Sequence, residues 1–306
     1  MSYNYRAYGI NIKSAIRLPD LIKTASPPEV NIRYGEIPDS LVDFIFGAAE
    51  IFERPGCKIR AAPGVMYIEW QRVGKILVRG GVEVIVEPEP ACGEDDLQPF
   101  LIGPVLSVLL QLRGFFVLHA SAVEINGAAV AFLGAKGDGK STLAAHLQAR
   151  GHRLISDDIV PVDPADARSI VFPGFPRINL FEDSIAAVGE QPDNFPLLHK
   201  FVEKRSFKYR DKFSTAPIPL RCLYILSENE EVGLEIPSPA SAFMEITRHT
   251  YLNRYLKALD CQPEHFRQCR QLIQKIPVLK LNRPHNFAVM DEVCGLLENH
   301  FPEIAG

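Results

Sequence analysis

At 306 residues, 47% of them hydrophobic, the chain is long enough for one large or two modest domains with a proper core. Its 33 Lys and Arg against 37 Asp and Glu leave a net charge of −4, which excludes a global pull towards nucleic acid or anionic membrane; neither is expected as a partner. The segment from Met1 to Tyr8 lacks the basic start and apolar run of a secretory signal, and six scattered cysteines do not form a staple pattern, so a reduced, cytoplasmic setting is expected.

The first hundred residues read as strands: Ile10 to Ile12, Val30 to Ile32, Met66 to Trp70, and Lys75 to Val78 with Val82 to Val86 around Gly80-Gly81. An acidic stretch containing prolines, Glu87 to Asp96, reads as a linker, giving a β-rich N-terminal domain over 1–96 and a second domain over 97–306. Phe100 to Leu118 is interrupted by Gly103, Pro104, Gln111, Arg113 and Gly114, too often for a membrane span; a buried helix over Val105 to Leu112 and then a strand are expected.

Beyond it, Phe115 to Ile125 and Ala128 to Leu133 are apolar runs joined at Asn126-Gly127, a strong hairpin signal. The second run leads into a glycine-rich segment, then a helix from Lys140 to about Arg150, a cap at Gly151 and a strand from Arg153 to Ser156, one unit of an α/β domain. Later expectations are a strand over Leu220 to Leu226, an amphipathic helix over Gln262 to Lys275 and a closing helix over Asp291 to His300.

Gly134-Ala135-Lys136-Gly137-Asp138-Gly139-Lys140-Ser141, followed by Thr142, matches G-x-x-x-x-G-K-[ST] in full, between an apolar strand and a helix. Glycines let successive backbone N–H groups turn towards phosphate oxygens, and the helix N-terminus adds partial positive charge. A nucleoside triphosphate such as ATP is the ligand this predicts, with Lys140 reaching its β and γ phosphates and Ser141 holding Mg2+. The strand after the helix ends in Asp157-Asp158; phosphoryl transfer needs one acid for the metal and another for the attacking hydroxyl, the alternative being two solvated turn acids. His119 lies on the strand expected to pair with the strand feeding the loop, where it could stand beside Asp157, or be a satisfied core histidine.

His119-Ala-Ser, the loop, and Arg150-Gly-His-Arg-Leu-Ile-Ser-Asp157-Asp158 together resemble the catalytic domain of HPr kinase/phosphorylase. The resemblance implies a nucleotide-binding fold of the phosphoenolpyruvate carboxykinase type and ATP-dependent phosphorylation of serine. It also implies that Asp157 acts as acid/base, Asp158 supports magnesium and His119 tunes Asp157. Tyr8-Gly-Ile-Asn-Ile, Phe172-Pro-Gly-Phe-Pro-Arg177, Arg248-His-Thr-Tyr-Leu-Asn253 and Ile276-Pro-Val-Leu-Lys-Leu resemble a branch of that family that modifies lasso-peptide precursors. That likeness implies a precursor-peptide substrate, phosphorylated on a serine near its C-terminus. Other readings stand beside it: a kinase of a small hydroxyl metabolite such as free serine, or a nucleotide-sensing module without transfer. The sequence leaves the oligomeric state open, a homo-oligomer included.

Lys136 stands where the family usually has a small hydroxyl residue. Ile170 to Arg177 lacks the glutamate that helps the full-length enzyme hold metal, so the resemblance carries neither a second metal site nor the reverse phosphorolysis to this chain. Arg177 is a candidate for contact with the γ-phosphate, or a structural arginine at a turn. The run Lys200, Lys204, Arg205, Lys208, Arg210 and Lys212, interleaved with Phe201, Phe207, Tyr209 and Phe213, reads as a lid over the triphosphate, as a solvated mobile loop, or as a nucleic-acid patch. Cys261, His265 and Cys269 at four-residue spacing are better explained as helix core than as zinc ligands.

Overall fold

Apolar residues at alternate positions carry much of the N-terminal region into sheet. In Ile10–Ser14, for example, Ile10, Ile12 and Ser14 are buried while Lys13 is exposed. The computed structural model describes residues 2–47, 49, 51–164, 168–199, 202–208 and 211–304. Contacts divide the chain into two units, Met1–Phe115 with Leu252–Arg267, and Phe116–Tyr251 with Gln268–Gly306.

In the first unit the described residues form a nine-stranded sheet. Its order is Ile22–Lys23, Tyr3–Ala7, Ile10–Ser14, Val30–Tyr34, Glu83–Pro88, Gly74–Arg79, Val65–Trp70, Cys57–Ala62 and Ile51–Arg54. The helix Asp39–Phe46 lays Val42 and Phe46 on Tyr67, Leu77 and Ile85. The sequence reading missed the strands Tyr3–Ala7 and Ile51–Arg54, since neither is an apolar run: of the latter, all but Phe52 are exposed.

The expected linker is shorter than its composition suggests, because helix begins at Glu94 and runs through a π-helical turn, Leu101–Val105, into Leu106–Leu112. Pro104, which has no N–H to give, falls in that wider turn, the kind of irregularity at which a helix admits proline. The Phe100 ring packs on Trp70, centroids 4.8 Å apart, and Arg113 bridges to Glu29 at 2.6 Å. The boundary expected after residue 96 therefore falls inside a helical stretch of the first unit, which continues to Phe115.

The second unit is built on another nine-stranded sheet of described residues, with Ala128–Leu133 near its centre. That strand runs antiparallel to Ala120–Ile125 and parallel to Ile218–Glu228, which in turn pairs in parallel with Val278–Arg283. Both faces are covered, which is why all six residues of Ala128–Leu133 are buried. One face packs Val130, Phe132 and Leu154 against Leu143 and Leu147 of the helix Lys140–Ala149 and Val293 and Leu297 of the helix Met290–Ile304. On the other face, Ala129, Ala131 and Ile155 meet Ile246, Cys269 and Leu272. The turn at Asn126 and Gly127, φ 50° and 77°, is the left-handed pair that a two-residue hairpin requires.

The basic run is not a mobile loop over its described part. Val202–Lys208 is a strand between Arg177–Leu180 and Leu197–His199. Phe207 and Phe213 are core residues, and Phe207 stacks on Phe195 at 3.8 Å, so neither ring is free to touch a peptide. Within this strand Ser206 and Phe207 are both buried, Lys204 and Arg205 are half-buried, and Glu203 and Lys208 are exposed. Lys200, Phe201, Tyr209 and Arg210 lie outside the described residues. Among the described residues, no helix is long and apolar enough to cross a membrane.

Candidate active site

The strand Ala128–Leu133 ends at Gly134, and the chain curls through the loop into the helix starting at Lys140. Gly139 is favoured by its backbone conformation, and a side chain there would also displace the end of Arg283. Its φ is 82°, and a Cβ there would stand 2.6 Å from Arg283 Nη2. Lys140 is 7% exposed and donates from Nζ to the carbonyls of Gly134 (2.7 Å) and Ala135 (3.0 Å). Burial draws its pKa below the ordinary lysine value, against the opposing charges of Asp157, Asp158 and Asp138. The loop is held from two sides: Asp138 Oδ2 accepts from Ala135 N at 2.5 Å, and Arg283 Nη2 donates to the Asp138 carbonyl at 2.6 Å.

The two aspartates are separated by their partners. Register places Ser121 opposite Asp157 across the strands, so Asp157 Oδ1 accepts from Ser121 Oγ (2.6 Å) and from Ser141 Oγ (2.8 Å). Its Oδ2 accepts from Asn179 N at 3.2 Å. Asp158 has φ 73°, a left-handed conformation that Asp tolerates better than most residues, and Ser156 Oγ closes the turn on the Ile159 carbonyl at 2.6 Å. Two neighbours on a straight strand would face opposite sides; this turn instead lets Asp158 share a cleft with Ser141 while Asp157 bonds to the same serine.

His119 stands beside Asp158, not beside Asp157 as expected. Its Nδ1 lies 3.0 Å from Asp158 Oδ1 and 3.2 Å from the Asp158 carbonyl. Both are acceptors, so Nδ1 carries the proton. The backbone fixes this pairing, because His119 N donates to the His249 carbonyl (2.8 Å) and Tyr251 N to the Val117 carbonyl (2.9 Å). The same strap brings the Tyr251 hydroxyl to Asp158 Oδ2, a long contact of 3.5 Å, and its ring edge to His119 at 5.8 Å. Burial opposes ionisation of Asp158, but the His119 hydrogen bond and the charges of His119, Lys204 and Lys140 hold its carboxyl below the usual aspartate range.

These groups open on a cleft of about 420 Å³. Lys136, Gly137, Gly139, Lys140, Ser141 and Thr142 line it from the loop, His119 and Asp158 from the acid side, and Asn179, Lys204 and Phe287 from further along the chain. Gly134, Ala135 and Asp138 do not line it. Arg177 does not line the cleft; its guanidinium lies over the Phe175 ring at 5.2 Å. Of the basic run, Lys204 reaches the cleft, whereas Arg205 is engaged by Glu182 (2.7 Å) and Asp193 (3.1 Å).

Magnesium suits the oxygens here. Asp157 and Ser141 Oγ are hard donors, and Asn179 Oδ1 is buried with no hydrogen-bond partner among the described residues. The acid bonded to Ser141 is Asp157, whereas the expected metal pair was Ser141 with Asp158.

Sequence reasoning did not find the site positions of Tyr251, Asn179, Arg283 or Phe287. Tyr251 lay in a motif noticed for its resemblance alone, and Arg283, 3% exposed at the end of an apolar strand, offers no local signal.

Residues 111–177 match the family model described as HPr Serine kinase C-terminal domain. An HPr kinase/phosphorylase from Lactobacillus acidophilus is 48% identical over 54 residues, 18% of this chain and 17% of that protein. HPr kinase/phosphorylase 1 from Oceanobacillus iheyensis is 40% identical over 57 residues, 19% of this chain and 18% of that protein. The chain thus matches less than a fifth of the length of these relatives. The solved structure of the Hpr(Ser) kinase/phosphatase from Coxiella burnetii aligns at TM-score 0.34 with 16% identity, covering 62% of this chain and 99% of that one. Over residues 111–177, which carry His119, the phosphate-type loop and both aspartates, this mixed α/β chain is similar to the HPr Serine kinase C-terminal domain family.

Proposed function

We propose that the chain is an ATP-dependent kinase that transfers phosphate to a serine hydroxyl of a peptide. The observation carrying this reading is the division of labour between adjacent acids: Asp157 is bonded to the loop serine, while Asp158 is bonded to a histidine and faces the cleft. Lys140 and the loop amides hold the triphosphate, with the Lys140 ammonium turning from the Gly134 and Ala135 carbonyls to the β and γ phosphates. Ser141, Asp157 and Asn179 would hold magnesium, which supplies charge neutralisation on those phosphates. Asp158, kept ionised, accepts the proton of the incoming hydroxyl, and His119 fixes the direction of its carboxylate. The peptide acceptor, a precursor of the lasso type, is supported by the likeness of short motifs alone.

The test is to incubate the full chain with ATP and magnesium against a serine-containing peptide library and, separately, free serine, reading products by mass. Phosphorylated peptide that disappears with Asp158→Asn supports the reading. Phosphoserine alone points to a metabolite kinase, and nucleotide binding without any product removes the kinase assignment.

A further inference from the structure

The cleft has an apolar end that phosphate chemistry does not need. Leu180, Phe181, Phe287 and Met290 line it together with the loop. Phe181 already carries the Lys204 ammonium over its ring at 5.1 Å. Phe287 is different: it is 41% exposed, and no described residue stacks on it.

The turn carrying Phe287 is built rather than loose. Just before it, Arg283 is tied to the loop through the Asp138 carbonyl. Just after it, Met290 is 3% exposed and opens the helix whose Val293 and Leu297 pack with Leu143 and Leu147 of the loop helix. Between these anchors, Asn286 Oδ1 accepts from Ala288 N at 3.0 Å and fixes the backbone around Phe287. The acids are fastened elsewhere, to Ser141 and His119, whereas Thr142 bonds Ser184 at 3.0 Å, beside Phe181. A cleft with a cationic cradle and a partly exposed aromatic ring at its apolar end suits a ligand with an anionic tail and a flat aromatic head.

We propose that Phe287 is the base platform of this cleft, so that the phosphate donor is a nucleoside triphosphate stacked on its ring and not an inorganic polyphosphate. The inference rests on the reading of the loop as a triphosphate cradle and adds the residue that holds the donor's base. Stacking of a base on an aromatic ring adds roughly tenfold or more in affinity.

The experiment compares binding of Mg-ATP and Mg-tripolyphosphate to the full chain by calorimetry, for the wild type, Phe287→Ala and Phe287→Tyr. The expected result is ATP binding at least roughly tenfold tighter than tripolyphosphate in the wild type, an advantage lost in F287A and kept in F287Y, with tripolyphosphate affinity unchanged throughout. Equal affinity of the wild type for the two ligands overturns the platform while leaving the phosphate cradle intact, as does an F287A protein that keeps the full ATP advantage. Loss of both ligands in F287A with both retained in F287Y makes the ring a structural support and also overturns it. A wild type that binds neither ligand overturns the cradle itself.

Discussion

His119 Nδ1 lies 3.0 Å from Asp158 Oδ1, and the adjacent acid, Asp157, is bonded to Ser141 instead. A carboxylate held by an imidazole stays ionised and pointed, which is what a proton acceptor for a hydroxyl needs. Asp158→Asn should lower phosphoryl transfer by roughly 10²- to 10⁴-fold while leaving ATP affinity nearly unchanged, measured by product mass and by calorimetry. Because the folded pKa of Asp158 lies below its ordinary 3.8, the acid limb of kcat/KM that it sets lies below that pH as well. Removing the imidazole in His119→Ala takes away the largest stabilisation of the charged form. The limb should then move to higher pH, and a pH–rate profile of the two proteins checks the sign.

The bond from Ser141 Oγ to Asp157 Oδ1 makes a separate expectation for the other acid. If Asp157 supports magnesium, Asp157→Asn raises the magnesium concentration needed for half-maximal transfer, roughly tenfold or more for a lost ligand interaction of 1.4 kcal/mol. Asp158→Asn leaves that requirement where it is. A magnesium titration of residual activity in each variant separates the two roles, and a shift in D158N rather than D157N reverses them.

The loop from Gly134 to Thr142, the Asn126-Gly127 turn and the pair Asp157-Asp158 were legible because their meaning is local: each is a spacing or dipeptide that dictates its own backbone. The allocation of the two acids was not. It depends on the register that sets Ser121 against Asp157 and on the left-handed turn at Asp158, neither written in a run of residue types. Pairing of Leu252–Arg267 with the first unit is equally silent in sequence; it shows in the Tyr255 ring set edge-on to Phe52 at 4.9 Å, two residues far apart along the chain. The basic run misled because charge is conspicuous and strand pairing is not: a strand that buries Phe207 and pairs Arg205 with two acids reads by composition as a loop.

Arg283 is 3% exposed and donates to the carbonyls of Asp138 and Pro284, while its Nε is buried without a partner among the described residues. Burial pulls its pKa down, opposed by the charges of Asp138 and Glu228, so the guanidinium sits in its place at some cost. That cost is offset if the cation steadies the loop carbonyl and adds positive potential near bound phosphate. Arg283→Met removes the charge and the donors but keeps much of the volume. ATP affinity should fall roughly tenfold or more with the lost charge-assisted bond, in calorimetry, while the melting temperature changes little or rises because a buried charge has gone. A variant with unchanged ATP affinity would make Arg283 irrelevant to the loop.

His265 gives the fold a sign for its pH dependence. It is 4% exposed, and burial lowers its pKa from 6.5 to about 4. Between those values the unfolded chain binds a proton that the folded chain refuses, so stability rises with pH, is fully present above 6.5 and is lost as pH falls towards 4. Going from pH 7 to pH 5 should cost about 2 kcal/mol from this residue alone. His249, also lowered chiefly by burial, adds in the same direction. Replacing His265 by Gln should flatten the dependence of melting temperature on pH across this window, leaving the slope due to His249. Thermal denaturation at half-unit steps from pH 5 to pH 7 reads the difference in slope, which is independent of whether the glutamine packs as well as the imidazole; an unchanged slope would mean that His265 is protonated in the folded chain at the same pH as in the unfolded one.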